Sequence, residues 1–263
     1  MIDNLFSIIT VTYNRAHVLK NALNSVLNQS YKDFEYIVID GKSGDKTVDI
    51  LKDYKNKFKE KKISFKFISE EDDGLYDAMN KGIKMANGKY IGIVNSDDYY
   101  FQDTLNIVSS AIIKNSYPDI VHGNMVTHSK SGSKIIIKPD LKVNIFKNIP
   151  TLHPATFIRK DVFFDIGLYD VSYSIAADQD FLLSAFMNGK RFSYIDEELC
   201  YFSTEGISSS NIFKPVIESY IVKRKHKLNI FLSFYHLLRS LTIRLLQRTI
   251  FFYPLKKLFG RQP

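Results

Sequence analysis

Asn95-Ser96-Asp97-Asp98 places amide and carboxylate oxygens at a spacing that suits a hard divalent cation. These residues follow directly on the apolar run Tyr90-Ile91-Gly92-Ile93-Val94, which is too short for an ordinary helix and reads as a buried strand. A strand ending in paired carboxylates brings oxygen ligands to the rim of a sheet, where open α/β folds bind their ligands. The same four residues also fit a polar turn that happens to contain two aspartates. Other polar groups end other apolar runs: Thr12-Tyr13-Asn14, Asp40-Gly41, and Ser69-Glu70 with the acidic run Glu71-Asp72-Asp73. Asp40 could accept hydrogen bonds from a base or ribose, or could cap the helix that follows. Asp178 and Asp180 could cap a helix through Phe181–Met187. His153 fits a satisfied loop histidine.

These groups need a scaffold that carries them to one side, and the order of elements provides one. Phe6 to Tyr13 and Phe34 to Asp40 are β-branched, apolar runs that read as buried strands, and Ile63 to Ile68 alternates as a strand should. Between them, Val18, Leu19, Ala22, Leu23, Val26 and Leu27 recur at helical spacing, and a charged helix is expected over roughly 46–60. Ala78, Met79, Ile83 and Met85 mark a third helix. The β-α-β-α-β-α-β order predicts an α/β fold with a mostly parallel sheet flanked by helices. Beyond residue 100 the rhythm loosens. A helix is expected over Leu105–Ile113, and strands at Ile120–His122, Lys134–Ile137, Phe192–Ile195 and Leu199–Phe202. A long polar connection lies around 139–153 and suggests a functional loop. There is no G-x-x-x-x-G-K-[ST] and no G-x-G-x-x-G, so neither phosphate-binding fingerprint is present.

The 263 residues fit one large domain with an appendage, and 45% hydrophobic residues supply a sizeable core. A single cysteine, Cys200, excludes an intramolecular disulfide and any cysteine-rich zinc site. The opening Met1-Ile2-Asp3-Asn4 lacks the cationic start of a signal peptide, so a cytoplasmic location is expected. The net charge of +8 is unevenly placed. Residues 214–263 carry eleven Lys/Arg against one acid, Glu218, whereas residues 1–213 carry 25 basic and 27 acidic side chains. The chain divides on this ground into a near-neutral domain, 1–212, and a basic, aromatic-rich helical tail, 213–263. Arg239, Arg244 and Arg248 break its apolar stretches below the length of a membrane span. A helix of this composition suits an anionic membrane surface, with packing on the domain or on a second copy as the lesser alternative. Nucleic acid is not expected, because no known module accompanies the charge.

Taken together, Ser7 to Asn14, the turn Asp40-Gly41-Lys42-Ser43-Gly44-Asp45-Lys46-Thr47, Tyr76 to Gly82, and Asn95 to Asp98 resemble the family 2 nucleotide-sugar glycosyltransferases. The likeness continues through His153 to Phe157, Gly167 to Asp170, and Ala177-Asp178-Gln179-Asp180, covering about residues 5–205 in order. It is closest to bacterial enzymes that build O-antigen and exopolysaccharide units. It implies a GT-A fold, a nucleotide-diphosphate sugar donor (a UDP-hexose foremost), a divalent cation (Mn²⁺ or Mg²⁺) and inversion at the anomeric carbon. By the same likeness, Thr12 and Tyr13 line the nucleotide pocket and Asp40 faces the base. Asp72, Gly74, Asn80 and Lys81 border the ribose, phosphates or sugar. Asp97 is the chief metal ligand, with Asp98 and Asn95 beside it, and Asp178 is the catalytic base. His153 and Asp180 stand on the acceptor side. A saccharide acceptor on a polyprenyl diphosphate would account for the tail, placing the protein at the inner face of the cell membrane. Two departures stand out: Asn95 replaces the first aspartate of a D-x-D, and Gly41-Lys42 stands where many relatives keep a second aspartate. A nucleotidyltransferase on a related sheet would need a basic activation motif near the N-terminus, of which Arg15 supplies little. A non-catalytic, membrane-associated scaffold or nucleotide-binding module is the alternative outside enzymology.

Overall fold

The first two strands, β1 (Phe6–Thr12) and β2 (Phe34–Asp40), are buried along their whole length, as unbroken β-branched and aromatic runs require. The computed structural model describes residues 4–129, 131–139, 153–203 and 213–248. Helix α1 (Leu19–Leu27) turns Leu19, Ala22, Leu23, Val26 and Leu27 inward, one face of a 3.6-residue repeat. Helices α2 (Thr47–Glu60) and α3 (Leu75–Met85) separate β2, β3 (Ser64–Ser69) and β4 (Tyr90–Ile93). After β4 come β5 (Tyr99–Tyr100), α4 (Thr104–Lys114), β6 (Ile120–His128) and β7 (Lys134–Ile137). Then follow a 3₁₀ turn (His153–Ala155), β8 (Thr156–Arg159), α5 (Lys160–Ile166), α6 (Ala177–Met187) and β9 (Phe192–Tyr201). Two last helices are α7 (Phe213–Lys225) and α8 (Ile230–Arg248).

The strands form one sheet in the order β3-β2-β1-β4-β8-β6-β9-β5, with β7 on β6. From β3 to β4 every pairing is parallel. Beyond β4 the β8 pairings are antiparallel, as are β6–β7 and β5–β9, and only β6–β9 is parallel. The mostly parallel sheet expected from the βα rhythm therefore describes the first half, and the sheet as a whole is mixed. The two late strands expected at 192–195 and 199–202 are one strand. Register shifts between His122, Asn124 and Met125 let β9 follow β6 past the irregularity. The sheet separates two cores. Phe6, Ile8, Tyr36 and Val38 pack with α1 and α2 on one face, while Ile9, Val11, Ile37 and Ile39 pack with α3 and α6 on the other. Each fully buried aliphatic or phenyl side chain contributes about 1.5–3 kcal/mol. The α3–β1 approach depends on Gly82, where a Cβ would lie 2.6 Å from Ile9 Cγ2.

The tail begins against the domain. Helix α7 buries Val216, Glu218, Val222 and Lys223, while α8 leaves Phe231, Phe234, Tyr235 and Leu238 exposed. Among the described residues no helix is long and apolar enough to cross a membrane. The rest of the basic tail, 249–263, and most of the polar connection around 139–153 lie outside the described residues.

Candidate active site

The carboxyl ends of β1, β2 and β3 are fastened together by their own loops. Asn14, held at φ 52°, donates its N–H to Ser43 Oγ at 2.8 Å and accepts Gly44 N–H on Oδ1 at 2.9 Å. Ala16 N–H reaches Asp45 Oδ2 at 3.1 Å, and Arg15 N–H reaches Thr47 Oγ1 at 3.1 Å. Asp40 is wholly buried and braces the turn: Oδ2 accepts Ser43 N–H at 3.0 Å and Ser69 Oγ–H at 2.6 Å, and Oδ1 accepts the Ser43 hydroxyl. A buried carboxylate needs such donors, since its desolvation otherwise costs several kcal/mol. These bonds answer the capping alternative, because Asp40 ties β2 to β3 and its own turn, and the N–H of Thr47 at the start of α2 goes to Asp45.

Gly41 explains one departure from the family pattern. A Cβ there would lie 2.5 Å from Asp72 Oδ2 and 3.4 Å from Tyr13 Cδ2. The Asp72 carboxylate, from the loop before α3, thus occupies the space over the strand-2 turn where a larger residue would project. Asp72 Oδ1 also accepts the N–H of Gly74, whose φ of 111° favours glycine.

At the end of β4, Asn95 and Asp98 divide their labour. Asp98 is almost fully buried; Oδ1 accepts Ser203 N–H at 2.8 Å and Oδ2 accepts Asn95 Nδ2–H at 3.2 Å. Burial pushes the Asp98 carboxyl up to about 7, with the Ser203 N–H opposing the shift and the charge of Asp97 adding to it. Asp98 therefore ties the β4 turn to the end of β9. Among the described residues Asn95 Oδ1 is buried with no hydrogen-bond partner, while Asp97 is half-buried at the cleft wall. An orphaned amide oxygen beside a carboxylate fits a hard cation. Among the described residues no group of three or more His, Cys, Asp or Glu could enclose a metal. Such a pair suits an ion that takes its remaining ligands from water and a diphosphate.

On the far half of the sheet, Asp178 lies in the first turn of α6, where Asp178 Oδ1 accepts the Tyr76 hydroxyl at 2.9 Å. That hydroxyl also lies 2.6 Å from the Ile175 carbonyl oxygen. Burial, and next the charge of Asp178, push the Tyr76 phenol well above its ordinary value, so it remains a donor. His153 Nε2 lies 3.1 Å from the Tyr169 hydroxyl. Burial pulls His153 below its ordinary value against the opposing charge of Asp178, which favours a neutral ring. Asn80 holds this wall in register: Nδ2 donates to the Tyr169 carbonyl at 2.8 Å, and Oδ1 accepts Tyr169 N–H at 3.0 Å.

One cleft of about 590 Å³ joins these groups, lined by Thr12, Tyr13, Asp72 and Gly74 with Asn95, Asp97 and Asp98, and by His153 and Asp178. The volume fits a nucleotide-sized ligand. Asp40 and Asn80 stand behind its walls. Lys81 is outside it, held by Glu70 at 3.0 Å, Asp77 at 3.3 Å and the Glu71 carbonyl. Asp180 also turns away from it, with Oδ2 on Lys225 Nζ at 2.7 Å and Oδ1 on His226 Nε2 at 2.8 Å, both from the α7 end. Neither aspartate shows the local capping that α6 was open to. Arg15 and Tyr76 line the cleft without having been singled out for it. Arg15 lies three residues past the end of β1, in the same turn as Tyr13 and Asn14, which was a signal in plain view; nothing in the sequence pairs Tyr76 with a residue 102 positions on.

The α/β sheet, with ligand groups at its strand ends and a carboxylate on the same cleft, matches structures of the GT-A kind. The Glycosyl transferase family 2 signature matches residues 7–167, more than half of the chain, and the chain belongs to that family. A PGL/p-HBAD biosynthesis glycosyltransferase of Mycobacterium bovis (strain BCG / Pasteur 1173P2) is 35% identical over 189 residues, 70% of each protein. The structure of S. aureus TarS 1–349 in complex with UDP-GlcNAc superposes with a TM-score of 0.69 at 25% identity, covering 93% of this chain and 73% of that one. Mannosyltransferase PcManGT from Pyrobaculum calidifontis, solved with GDP-Man and Mn²⁺, shares the fold with a TM-score of 0.69 at 16% identity, covering 98% and 76%.

Proposed function

We propose that the protein transfers a hexose from a nucleotide-diphosphate sugar, UDP-linked, to a saccharide hydroxyl with inversion at the anomeric carbon. The observation that carries this is the meeting of Asp97 and Asn95 Oδ1, unpartnered among the described residues, with Asp178 in one cleft. The exposed Tyr13 ring offers a stacking face for the base, with Thr12 and Asp72 beside it. Asp97 and Asn95 Oδ1 would hold Mn²⁺ or Mg²⁺ at the diphosphate, where such an ion offsets charge on the leaving group. Arg15, the permanently cationic side chain among the described lining residues, adds to that role. TarS binds UDP-GlcNAc and PcManGT binds GDP-Man and Mn²⁺, which supports a nucleotide-sugar donor and a cation here.

Asp178 takes the proton of the acceptor hydroxyl as its oxygen bonds to the anomeric carbon. The bond from that carbon to the diphosphate oxygen breaks, and its electron pair leaves with the nucleoside diphosphate. Tyr76 suits both states of the base. It donates to ionised Asp178, and once Asp178 is protonated it turns its hydrogen to the Ile175 carbonyl and accepts instead. His153, held from behind by the Tyr169 hydroxyl, forms the neighbouring wall for the acceptor.

The acceptor is a lipid-linked saccharide of bacterial surface polysaccharide synthesis, and the exposed aromatic face of α8 with the basic tail meets anionic lipid at the cytoplasmic face. Screening UDP- and GDP-sugars with purified protein and Mn²⁺ tests the donor. Turnover restricted to UDP-sugars supports the proposal, and the absence of both turnover and cation-dependent UDP binding would overturn it. Sedimentation with vesicles containing phosphatidylglycerol tests the tail; binding independent of anionic lipid would remove that part.

A further inference from the structure

Helix α6 lacks a cap of its own. Its N-cap residue is Ala176, which carries no side-chain acceptor, yet the preceding turn must satisfy several N–H groups. Glu218, from α7, supplies the acceptor. Oε2 accepts the N–H groups of Ser174 at 3.1 Å, Ile175 at 2.8 Å and Ala176 at 3.0 Å, and Oε1 lies 3.1 Å from Ser174 N. The glutamate is buried, and a negative charge at a helix N-terminus is favoured by the aligned peptide dipoles.

The Ile175 peptide links this carboxylate to the reacting side. Its N–H goes to Glu218, and its C=O accepts the Tyr76 hydroxyl that also contacts Asp178 Oδ1. The segment 174–178 is thereby held from both sides, by α7 through its N–H groups and by α3 through a carbonyl. The end of α7 adds a second hold. Lys225 pairs with Asp180 at 2.7 Å and with Asp170 at 3.2 Å, and His226 contacts Asp180 at 2.8 Å. Asp180 lies half a turn beyond Asp178 and faces α7, so α7 constrains the first turn of α6 where it begins and where it departs.

We infer that Glu218 is a positioning residue for Asp178: the first helix of the basic tail is part of the catalytic apparatus, fixing the base through the 174–176 amides. The inference rests on the role proposed for Asp178. Glu218→Gln keeps one oxygen that can accept these N–H groups, whereas Glu218→Ala keeps none. Transfer kinetics, UDP affinity with Mn²⁺ by titration calorimetry, and hydrogen exchange across 174–182 should be measured on the full chain and both variants. The expected result is a graded loss of kcat, several-fold for Gln and tenfold or more for Ala. Donor KM and UDP affinity should stay within twofold, and amide exchange at 174–176 should quicken in the same order. Should the Ala protein fail to fold, the Gln protein decides by the same split between kcat and KM. A kcat within twofold of wild type in a folded Gln protein with faster exchange would overturn the positioning role alone. UDP affinity falling in parallel with kcat would overturn it too, because Glu218 would then merely hold the fold. A wild-type protein that binds UDP yet transfers no sugar would instead bring down the role of Asp178.

Discussion

The two halves of the sheet hold their functional groups by different means. In the parallel half, β3-β2-β1-β4, loops that follow adjacent strands fasten to each other, as Asn14 does to Ser43 and Gly44, and Asp40 to Ser69. In the mixed half, Asp178 is set by side chains from distant elements, Tyr76 on α3 and, through the 174–176 amides, Glu218 on α7. A parallel sheet places consecutive strand ends side by side, so neighbouring loops meet with no further device. The wall that carries Asp178 and His153 has no such neighbour rule, and its precision comes from buried long-range bonds.

Four measurements would break or sharpen that contrast. Asp178→Asn removes the proposed proton acceptor while keeping its shape, so kcat should fall roughly 10²- to 10⁴-fold with UDP binding within twofold; an active variant would place the base elsewhere. The mixed half should also be the acid-sensitive one. Burial holds His122 on β6 down at about 4, well under its unfolded value near 6.5. Its contribution is present in full above about 6.5 and is lost as pH falls from there toward 4, roughly 3 kcal/mol at most. Urea titrations at pH 7 and pH 4.5 on wild type and His122→Phe should show a smaller acid loss in the variant; an equal loss would exclude this residue as the cause. Tyr76→Phe removes a hydrogen bond to a charged group worth about 1.5–3 kcal/mol. Its kcat should drop about 10- to 100-fold with donor KM unchanged, and a change confined to KM would assign Tyr76 to the donor. Gly41→Ala probes the parallel half. The new methyl displaces the Asp72 carboxylate, so donor KM should rise a few-fold while stability changes by less than about 1 kcal/mol. An unchanged KM would remove Asp72 from the nucleotide contact.

Legibility in the chain follows the same division. The strands β1, β2 and β4 and the helices α1 and α3 were readable because their periodicity is local and their ends carry turn chemistry. The parallel order followed from βα alternation. Beyond residue 100 the periods were still visible for α4 and β7, but pairing was not. The antiparallel insertion of β8 between β4 and β6, and the fusion of two expected strands into β9, depend on which edges meet. Among site residues, Thr12, Tyr13, Asp72, Asp97, His153 and Asp178 reach the cleft where the strand ends and family likeness put them. Lys81 and Asp180 do not, because ion pairs with Glu70 and Asp77, and with Lys225 and His226, hold them elsewhere.

Residue order alone therefore settled the repeating α/β rhythm, the polar groups that end its strands and the concentration of positive charge after residue 213. These are properties of neighbours in sequence, where a two-residue or 3.6-residue period suffices. Only the folded chain showed that Asp98 serves Ser203, that Asp72 fills the space over Gly41, and that a glutamate in the basic tail caps the helix bearing Asp178. Each is a buried charge or close contact between residues far apart in sequence. Such pairs are chosen by the cost of leaving a buried polar group unpaired, which no local pattern records.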